Sequence, residues 1–351
     1  MIISKLKKQA EAHIGRDARI RDAVIIIPVA FSNGQRQAMM DAAAIAGLRV
    51  QRFVSGSTAA TLLYSFNRKN RMMLGGPARY GGYTNERYRG SSSGQADENS
   101  LHMVLAFDFG GGSLDVTLAE ICGETGILEV RATAGNAHLG GQDLDERVLG
   151  YLARDIQNRF GRDITTNLRA MSKLREACER AKRILSTNQS TKVELDGLAE
   201  GIDYYERMIT RAGFEEMCAD LLSSTLQSVD QVLNDAKIRK EDVNEYILVG
   251  GSSRIPRIVK ILTDYFDGRE PNKTVDTVEA AVCGAGIQAA ILCSTMTGQV
   301  NGMLLLDVVP ASLGIEITGG VMEVLSNETP PYQQRDRTPI LRTQTISLVL
   351  F

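Results

Sequence analysis

Three consecutive glycines stand between two aspartates in the segment LAFDFGGGSLDVTLAE, residues 105–120. Residues without a Cβ let consecutive backbone N–H groups point into one concavity and let a phosphate approach the main chain closely. Ser113 adds a hydroxyl donor, whereas Asp108 and Asp115 would repel a phosphate and are better suited to holding water around Mg²⁺. The segment therefore predicts a site for a metal-bound nucleotide, although a plain tight turn explains the glycines about as well.

A second pair of glycines follows an apolar strand pattern in the segment LVGGSSR, residues 248–254. A turn of this kind offers a flat surface on which a base or a ribose can lie. Together the two glycine turns favour the nucleotide hypothesis over two unrelated tight turns.

Length and composition limit the classes of function. A chain of 351 residues suggests two or three compact units, and 43% apolar with 23% charged residues is typical of a soluble globular protein. The net charge of −2 gives no overall attraction to nucleic acid or to an anionic membrane, so a phosphate site must be local. The five cysteines form neither a C-x-x-C motif nor a cluster with histidines, which predicts free thiols. No stretch approaches the roughly 18 apolar residues of a membrane span, and we expect a cytoplasmic protein.

Alternating strand and helix patterns predict an α/β fold. A β-branched run at 24–27 ends at Pro28, and Ser32 with Gln35 forms the capping box of a helix that Gly47 ends. A strand at 50–54 and a helix at 58–67 follow. Further along, the patterns predict strands at 127–133, near 193 and near 204, and helices from about 143, at 168–185, at 214–233, from Pro256, and at 278–292.

Residues 68–100 have no hydrophobic periodicity and are rich in glycine and serine. Such a segment cannot bury enough apolar surface to become ordered, so it is predicted to be a disordered insertion. Its arginines and tyrosines are also compatible with nucleic-acid binding by charge and stacking, but a solvated loop is the favoured interpretation.

Five segments resemble successive blocks of the seventy-kilodalton heat-shock chaperone family, in that family's order. They are IIPVAFSNGQRQAMMDAAAIAGLRV, DFGGGSLDV, AGNAHLGGQDLDERV, LREACERAKRILS and ILVGGSSRIPRI. The resemblance covers nearly the whole chain except the insertion and becomes poor after about Thr329. It implies an actin-like, ribonuclease H-like ATPase fold of two lobes with Mg²⁺ and ATP or ADP in the cleft, joined by a linker to a β-rich peptide-binding domain.

On this resemblance the chain divides into five parts and is expected to be a truncated family member. These are an incomplete first lobe at 1–67, the insertion at 68–100, the second lobe at 101–292, the linker at 293–310, and a short all-β C-terminal remnant at 311–351. Few strands are left for a peptide-binding sandwich, whose inner faces need several strands to cover them.

The resemblance also implies roles for individual residues. The phosphate loop would consist of Gly110, Gly111, Gly112 and Ser113. The catalytic residues would be Asp108, Asp115 and Ser113, and the two aspartates would hold the metal through water. Residues on one face of a helix, at i, i+3, i+4 and i+7, would hold the adenosine: Glu179, Lys182, Arg183 and Ser186. The other wall of the base site would be Gly250, Gly251, Ser252, Ser253, Arg254 and Ile255. Without the family, Lys182 and Arg183 would be interpreted as a solvated helix edge.

Coupling between the nucleotide and the linker is the third implied function. Pro28 and Arg36 match the family's switch positions, and the segment MLLLDVVP matches its linker, with Leu304, Leu305, Leu306 and Asp307 as the coupling residues. In isolation, an apolar run this short is more often a core strand.

Several family residues are replaced or absent. The family's first phosphate loop, an Asp-Leu-Gly-Thr-Thr pattern, and the catalytic lysine near it are not found in this sequence. Gly56 stands where relatives have a glutamate that positions metal and attacking water, Ser57 replaces a proline, and Val278 replaces an aspartate. Because phosphoryl transfer depends on positioning and charge stabilisation, we expect ATP hydrolysis to be impaired.

Three functions remain open on the sequence. The first is an ATP-dependent folding chaperone whose partners are unfolded or nascent polypeptides, J-domain co-chaperones and nucleotide-exchange factors. The second is a non-catalytic protein that keeps only the co-chaperone contacts. The third, an actin-like sugar kinase, fits the adenosine helix and the linker poorly. Neither nucleic acid nor a membrane is expected as a partner.

Overall fold

The computed structural model describes residues 1–15, 18–74, 101–122, 127–293, 302–308, 313–317, 321–326 and 348–350. The fold is α/β. Its helices are α1 Ile2–Ile14, α2 Asn33–Ile45, α3 Gly56–Leu74, α4 Gly141–Phe160, α5 Leu168–Leu185, α6 Arg211–Met217, α7 Ala219–Ala236, α8 Pro256–Tyr265 and α9 Ala280–Cys293. Its strands are β1 Asp22–Ile26, β2 Arg49–Val54, β3 Leu101–Phe109, β4 Leu114–Cys122, β5 Ile127–Asn136, β6 Ser190–Ala199, β7 Ile202–Thr210, β8 Glu245–Val249, β9 Leu304–Leu306, β10 Leu313–Ile317, β11 Val321–Ser326 and β12 Leu348–Leu350.

A five-stranded mixed sheet with the order β8-β3-β4-β5-β9 forms the centre of the fold. The strands β3, β4 and β5 run antiparallel, whereas β8 is parallel to β3 and β9 is parallel to β5. In the β3–β4 hairpin Asp108 is directly opposite Asp115, so the register places both carboxylates beside the glycine tip. The sheet is the element that positions the predicted site.

Side-chain alternation along β3 divides the interior into two cores. Leu105, Phe107 and Phe109 pack into a core with α4, α5 and α7, while Val104 and Ala106 pack into a second core with α3 and α9. Because both faces are covered, β3 reads as a continuous apolar run and not as an alternating one. The hairpin tip is therefore held between two packed layers.

Helix α3 is longer than the sequence predicted. It begins at Gly56 and runs to Leu74, past the predicted end at residue 67 and into the segment predicted to be disordered. Tertiary contacts extend it: the Tyr64 hydroxyl donates to Glu245 Oε2 at 2.9 Å, and Arg68 Nη1 lies 3.3 Å from His102 Nε2. The prediction for 75–100 lies outside the described residues.

Several local predictions are confirmed. Ser32 and Gln35 form the capping box of α2, Gly47 follows the helix end with a left-handed φ of 71°, and Pro256 occupies the first turn of α8. The five cysteines are free. The helix predicted at 214–233 is wrong in one respect, because a break at Cys218, with φ −109° and ψ 9°, divides it into α6 and α7.

The remaining sheets are small. β1 pairs in parallel with β2, β6 and β7 form a hairpin, and the C-terminal segments β10, β11 and β12 form an antiparallel sheet of three strands. No helix in the described ranges is long and apolar enough to cross a membrane.

Candidate functional site

The triple-glycine tip contains one internal turn bond, and its outer two glycines are open to solvent. Gly110 N–H donates to Ser113 O at 3.0 Å, and Gly111 and Gly112 are exposed. Neither exposed glycine has a left-handed φ, and an added Cβ at either would meet nothing within 4 Å. Within the described part of the chain, the amides of Gly111, Gly112 and Ser113 bond no acceptor. These three donors are therefore available to a ligand.

Another glycine turn, at the start of α4, packs closely against the backbone of the tip. Gly141 N–H, at the start of α4, donates to Gly110 O at 3.0 Å, and Gln142 N–H donates to Gly111 O at 2.8 Å. A Cβ on Gly140 would lie 2.5 Å from Gly111 O and 2.6 Å from the carbonyl carbon of Gly112. Gly140 and Gly141 belong to the segment AGNAHLGGQDLDERV that resembles the family, but they were not predicted to be site residues.

A third glycine turn supports the tip from another direction. Gly250 has a φ of 81°, which only glycine adopts without strain, and residues 251–254 form a short 3₁₀-helix. Ser252 Oγ donates to Gly110 O at 2.8 Å, and Ser253 Oγ donates to Gly250 O at 2.7 Å. Both serines are buried, so their hydroxyls bond the backbone of the turns.

Lys182 of α5 contacts the glycine turn at the start of α4. Its Nζ donates to Gly141 O at 2.8 Å and to Asp145 Oδ2 at 2.6 Å, and the two side chains are only 12% and 9% exposed. A Cβ on Gly141 would lie 2.9 Å from this Nζ and 2.5 Å from Ser252 Oγ. The structure thus brings together residues from β3, α4, α5 and the 250–254 turn, and the solvated-edge interpretation of Lys182 is wrong.

The other residues predicted to hold adenosine are bonded to their own neighbours. Arg183 and Glu179 form an exposed ion pair at 2.5 Å, and Ser186 Oγ donates to Lys182 O at 3.2 Å. On the other wall, Arg254 Nε donates to Thr277 Oγ1 at 2.6 Å, and Ile255 is buried. Among the described residues, none of the bonds of these side chains joins the two walls.

Glycines also make room for the two aspartates. An added Cβ would overlap Asp108 Oδ2 at Gly56, would lie 2.8 Å from Asp108 Oδ1 at Gly250, and would lie 2.5 Å from Asp115 Oδ1 at Gly135. In this chain the Asp108 carboxylate therefore occupies the space beside Gly56, the position at which the resemblance implies a glutamate.

Burial changes the protonation of both carboxyls. Desolvation raises the pKa of Asp108 to about 6. Desolvation, together with repulsion from Asp108, raises the pKa of Asp115 to about 7, although Val29 N–H donates to Asp115 Oδ1 at 3.0 Å and opposes the rise. A nearby cation would return both groups to the charged form.

Two carboxylates without a third ligand fit Mg²⁺ held through water. Among the described residues no group of three or more His, Cys, Asp or Glu side chains could enclose a metal ion. Mg²⁺ dehydrates reluctantly, keeps several waters and takes few protein carboxylates, so this donor set suits it better than a metal that needs a complete protein cage.

Pro28, Arg36 and Asp307, which were predicted as switch and linker residues, line one cavity of about 50 Å³ together with residues of β2 and β5. Arg36 Nη2 donates to Val29 O at 3.2 Å and its Nε donates to Phe31 O at 3.0 Å, so the guanidinium holds the loop after Pro28. Asp307 lies 3.7 Å from Arg52 Nη2, a partner that the sequence analysis did not name. Burial raises the pKa of Asp307, and burial lowers the pKa of Arg36.

The segment predicted to be the linker contains a strand of the central sheet. Leu304, Leu305 and Leu306 form β9 and pair in parallel with Ile127, Leu128 and Glu129 of β5. Leu305 is buried, whereas Leu304 is 45% exposed. The isolated run thus behaves as the sheet strand that its composition favoured.

Comparisons with known proteins give the same family over nearly the whole chain. A family model described as Hsp70 protein matches residues 1–347. A heat shock 70 kDa protein of Neurospora crassa is 45% identical over 339 residues, which are 96% of this chain and 47% of that protein. Heat shock 70 kDa protein 2 of Paracoccidioides lutzii is 42% identical over 348 residues, 99% of this chain and 47% of that protein.

A ribosome-associated chaperone is also similar to this chain. The ribosome-associated molecular chaperone SSB of Candida glabrata is 41% identical over 349 residues, which are 98% of this chain and 52% of that protein. The chain spans about half the length of the curated relatives it matches.

Proposed function

Since this chain belongs to the Hsp70 family, we propose that it binds ATP or ADP with Mg²⁺ and acts in protein folding as a chaperone of that family. The observation that supports nucleotide binding best is the meeting of three glycine turns and Lys182 around Gly110 and Gly141. These contacts leave the amides of the tip free, which is what an anionic ligand requires.

Each part of the site would have a separate task. The amides of Gly111, Gly112 and Ser113 would donate to phosphate oxygens, and the Lys182 ammonium would donate to the adenosine end of the nucleotide. Asp108 and Asp115 would hold the waters of Mg²⁺, which supplies positive charge to the phosphates when it is bound. Glu179, Arg183, Ser186, Arg254 and Ile255 would line the base and ribose.

The binding proposal predicts a large difference between two glycine variants. Gly111→Ala adds a Cβ into open space, so the melting temperature should stay unchanged while the affinity for Mg-ADP falls about tenfold or more, because the methyl stands where the phosphates bind. Gly140→Ala forces the backbone of the tip to shift, so both melting temperature and affinity should fall. Calorimetry with Mg-ADP and thermal melts measure both. Full affinity in Gly111→Ala would place the phosphates elsewhere.

We further propose that this chain hydrolyses ATP slowly. Gly56 supplies no carboxylate beside Asp108, and loss of one preorganised catalytic group lowers the rate on the order of a hundred- to a thousand-fold. A single-turnover assay with labelled ATP on the purified chain should give a rate at least about a hundredfold below that of an intact relative. Equal rates would contradict the proposal.

Gly56 also favours a second candidate function. A chain that keeps the family surface but not the glutamate could act as a non-catalytic partner of J-domain co-chaperones and nucleotide-exchange factors. Capture of exchange factors without any heat from Mg-ATP would support this function, whereas nucleotide-dependent release of the factor or of an unfolded polypeptide would support the chaperone proposal.

A further inference from the structure

The geometry points to Asp145 as a positioning residue that fixes the Lys182 ammonium for the nucleotide, an inference that rests on the proposed nucleotide binding. Asp145 lies on α4, one helical turn after Gly141, and Lys182 lies on α5. The role differs from ligand contact, because Asp145 would act through Lys182 alone.

The first support is how the ammonium is held. Two of its three N–H groups are directed to protein oxygens, Gly141 O at 2.8 Å and Asp145 Oδ2 at 2.6 Å. One N–H is left for a ligand. A lysine has four rotatable methylenes, so holding its end in advance lowers the entropy that binding must remove.

The second support is that the ammonium touches the turn that holds the glycine tip. The peptide before Gly141 donates its N–H to Gly110 O at 3.0 Å, and that oxygen also accepts from Ser252 Oγ at 2.8 Å. Lys182 bonds the carbonyl of the same Gly141. Release of the ammonium would therefore disturb both the adenosine side and the phosphate side.

The third support is the other oxygen of Asp145. Its Oδ1 is buried and has no hydrogen-bond partner among the described residues. A carboxylate chosen for stability alone would have both oxygens satisfied, since an unsatisfied buried oxygen costs free energy. A carboxylate that bonds only Lys182 Nζ is expected where its role is to position the ammonium and not to stabilise the fold.

The test compares Asp145→Asn, Lys182→Met and the double variant in the full chain, with Glu146→Gln as control. Glu146 is the next residue on α4 and pairs with Arg175 on the exposed surface, at 2.9 Å, so this control removes an ion pair outside the site. In nucleotide-free protein, an amine-reactive reagent should label Lys182 at least about tenfold faster in Asp145→Asn than in the wild type, relative to exposed Lys260.

Calorimetry with Mg-ADP supplies the second readout. Asp145→Asn should weaken binding by roughly 10- to 100-fold, Glu146→Gln should leave it unchanged, and Asp145→Asn should cause no further loss in the Lys182→Met background. Additive losses, or unchanged labelling of Lys182, would overturn the inference. Should Asp145→Asn fail to fold, Asp145→Glu keeps the charge and should give intermediate labelling and affinity; wild-type values for both would equally overturn it.

The two proposals fail differently. If the wild type gives no heat with Mg-ADP, the proposed nucleotide binding is wrong and the role of Asp145 falls with it. If the wild type binds and Asp145→Asn binds equally well, only the inference about Asp145 is wrong.

Discussion

Replacing Gly284 with alanine is expected to lower the free energy of unfolding by about 3 kcal/mol or more. Gly284 of α9 faces α3, and an added Cβ would overlap the carbonyl carbon and oxygen of Ala59 and lie 3.1 Å from its Cα. These are backbone atoms of a buried helix, so the overlap can be relieved only by moving the helices apart. Separation would open the second core, which contains Ala59, Leu62 and Ala285.

Gly286 offers a matched control on the same helix. A Cβ there meets nothing within 4 Å, and alanine is a better helix former than glycine by roughly 1 kcal/mol. Gly286→Ala should therefore melt at or slightly above the wild-type temperature. Thermal and urea denaturation of the three proteins measure the difference. If Gly284→Ala were as stable as Gly286→Ala, the close contact between α3 and α9 would be disproved.

Replacing Asp115 with asparagine is expected to stabilise the metal-free protein at pH 8 by up to about 4 kcal/mol and to change little at pH 4. Burial raises the native pKa of Asp115 from 3.8 to about 7, so between these values the native state binds more protons than the unfolded state. Stability must then fall as the pH rises through this window. Asparagine removes the buried charge and keeps an oxygen that can accept from Val29 N–H.

Urea unfolding at pH 4 and pH 8, with a chelator present, measures this gain. Asp163 is the control, because bonds from Thr165 lower its pKa and Asp163→Asn should give no gain at pH 8. Addition of Mg²⁺ should stabilise the wild type at pH 8 more than the variant. A gain of equal size at both pH values would show that the effect is not one of charge.

Local signals in the sequence predicted the elements well. The cap at Ser32, the stop at Gly47 and the proline of α8 act within one turn of chain, and α5 begins and ends at the predicted residues. The break at Cys218 and the extension of α3 were missed, because the first has no proline or glycine to mark it and the second depends on contacts with β3 and β8.

Sequence patterns predicted the glycine turns near the candidate site but not the hydrogen bonds between distant residues. Two of the three glycine turns and Lys182 carry recognisable patterns, whereas the bond from Lys182 to Asp145 and the bond from Val29 to Asp115 join residues far apart in sequence. Periodicity and spacing do not encode such pairs. The role of the glycine tip in phosphate binding stays a prediction, and the structure places the closest backbone approach to the tip at Gly140.

Ser57, which stands where the resemblance implies a proline, adds its hydroxyl to a buried network of hydroxyl side chains. Ser57 and Thr58 lie 2.8 Å and 3.3 Å from Thr117 Oγ1, and Thr117 lies 3.2 Å from Thr133 Oγ1. At the other end of this hydroxyl network, Thr133 Oγ1 donates to the backbone carbonyl Val116 O at 3.1 Å. The one hydroxyl proton of Thr133 is therefore used in this bond.

That one carbonyl orients every hydroxyl before it. Thr117 must donate to Thr133, and both Ser57 and Thr58 must then donate to Thr117. Ser55 donates to Thr58 Oγ1 at 2.8 Å, accepts from Thr58 N–H at 3.1 Å, and lies 3.2 Å from Ser57 Oγ. Ser55, Thr58 and Thr133 also line the cavity that Asp307 borders, so this hydroxyl network forms a polar wall of the cavity and connects it to the hairpin of β4 and β5.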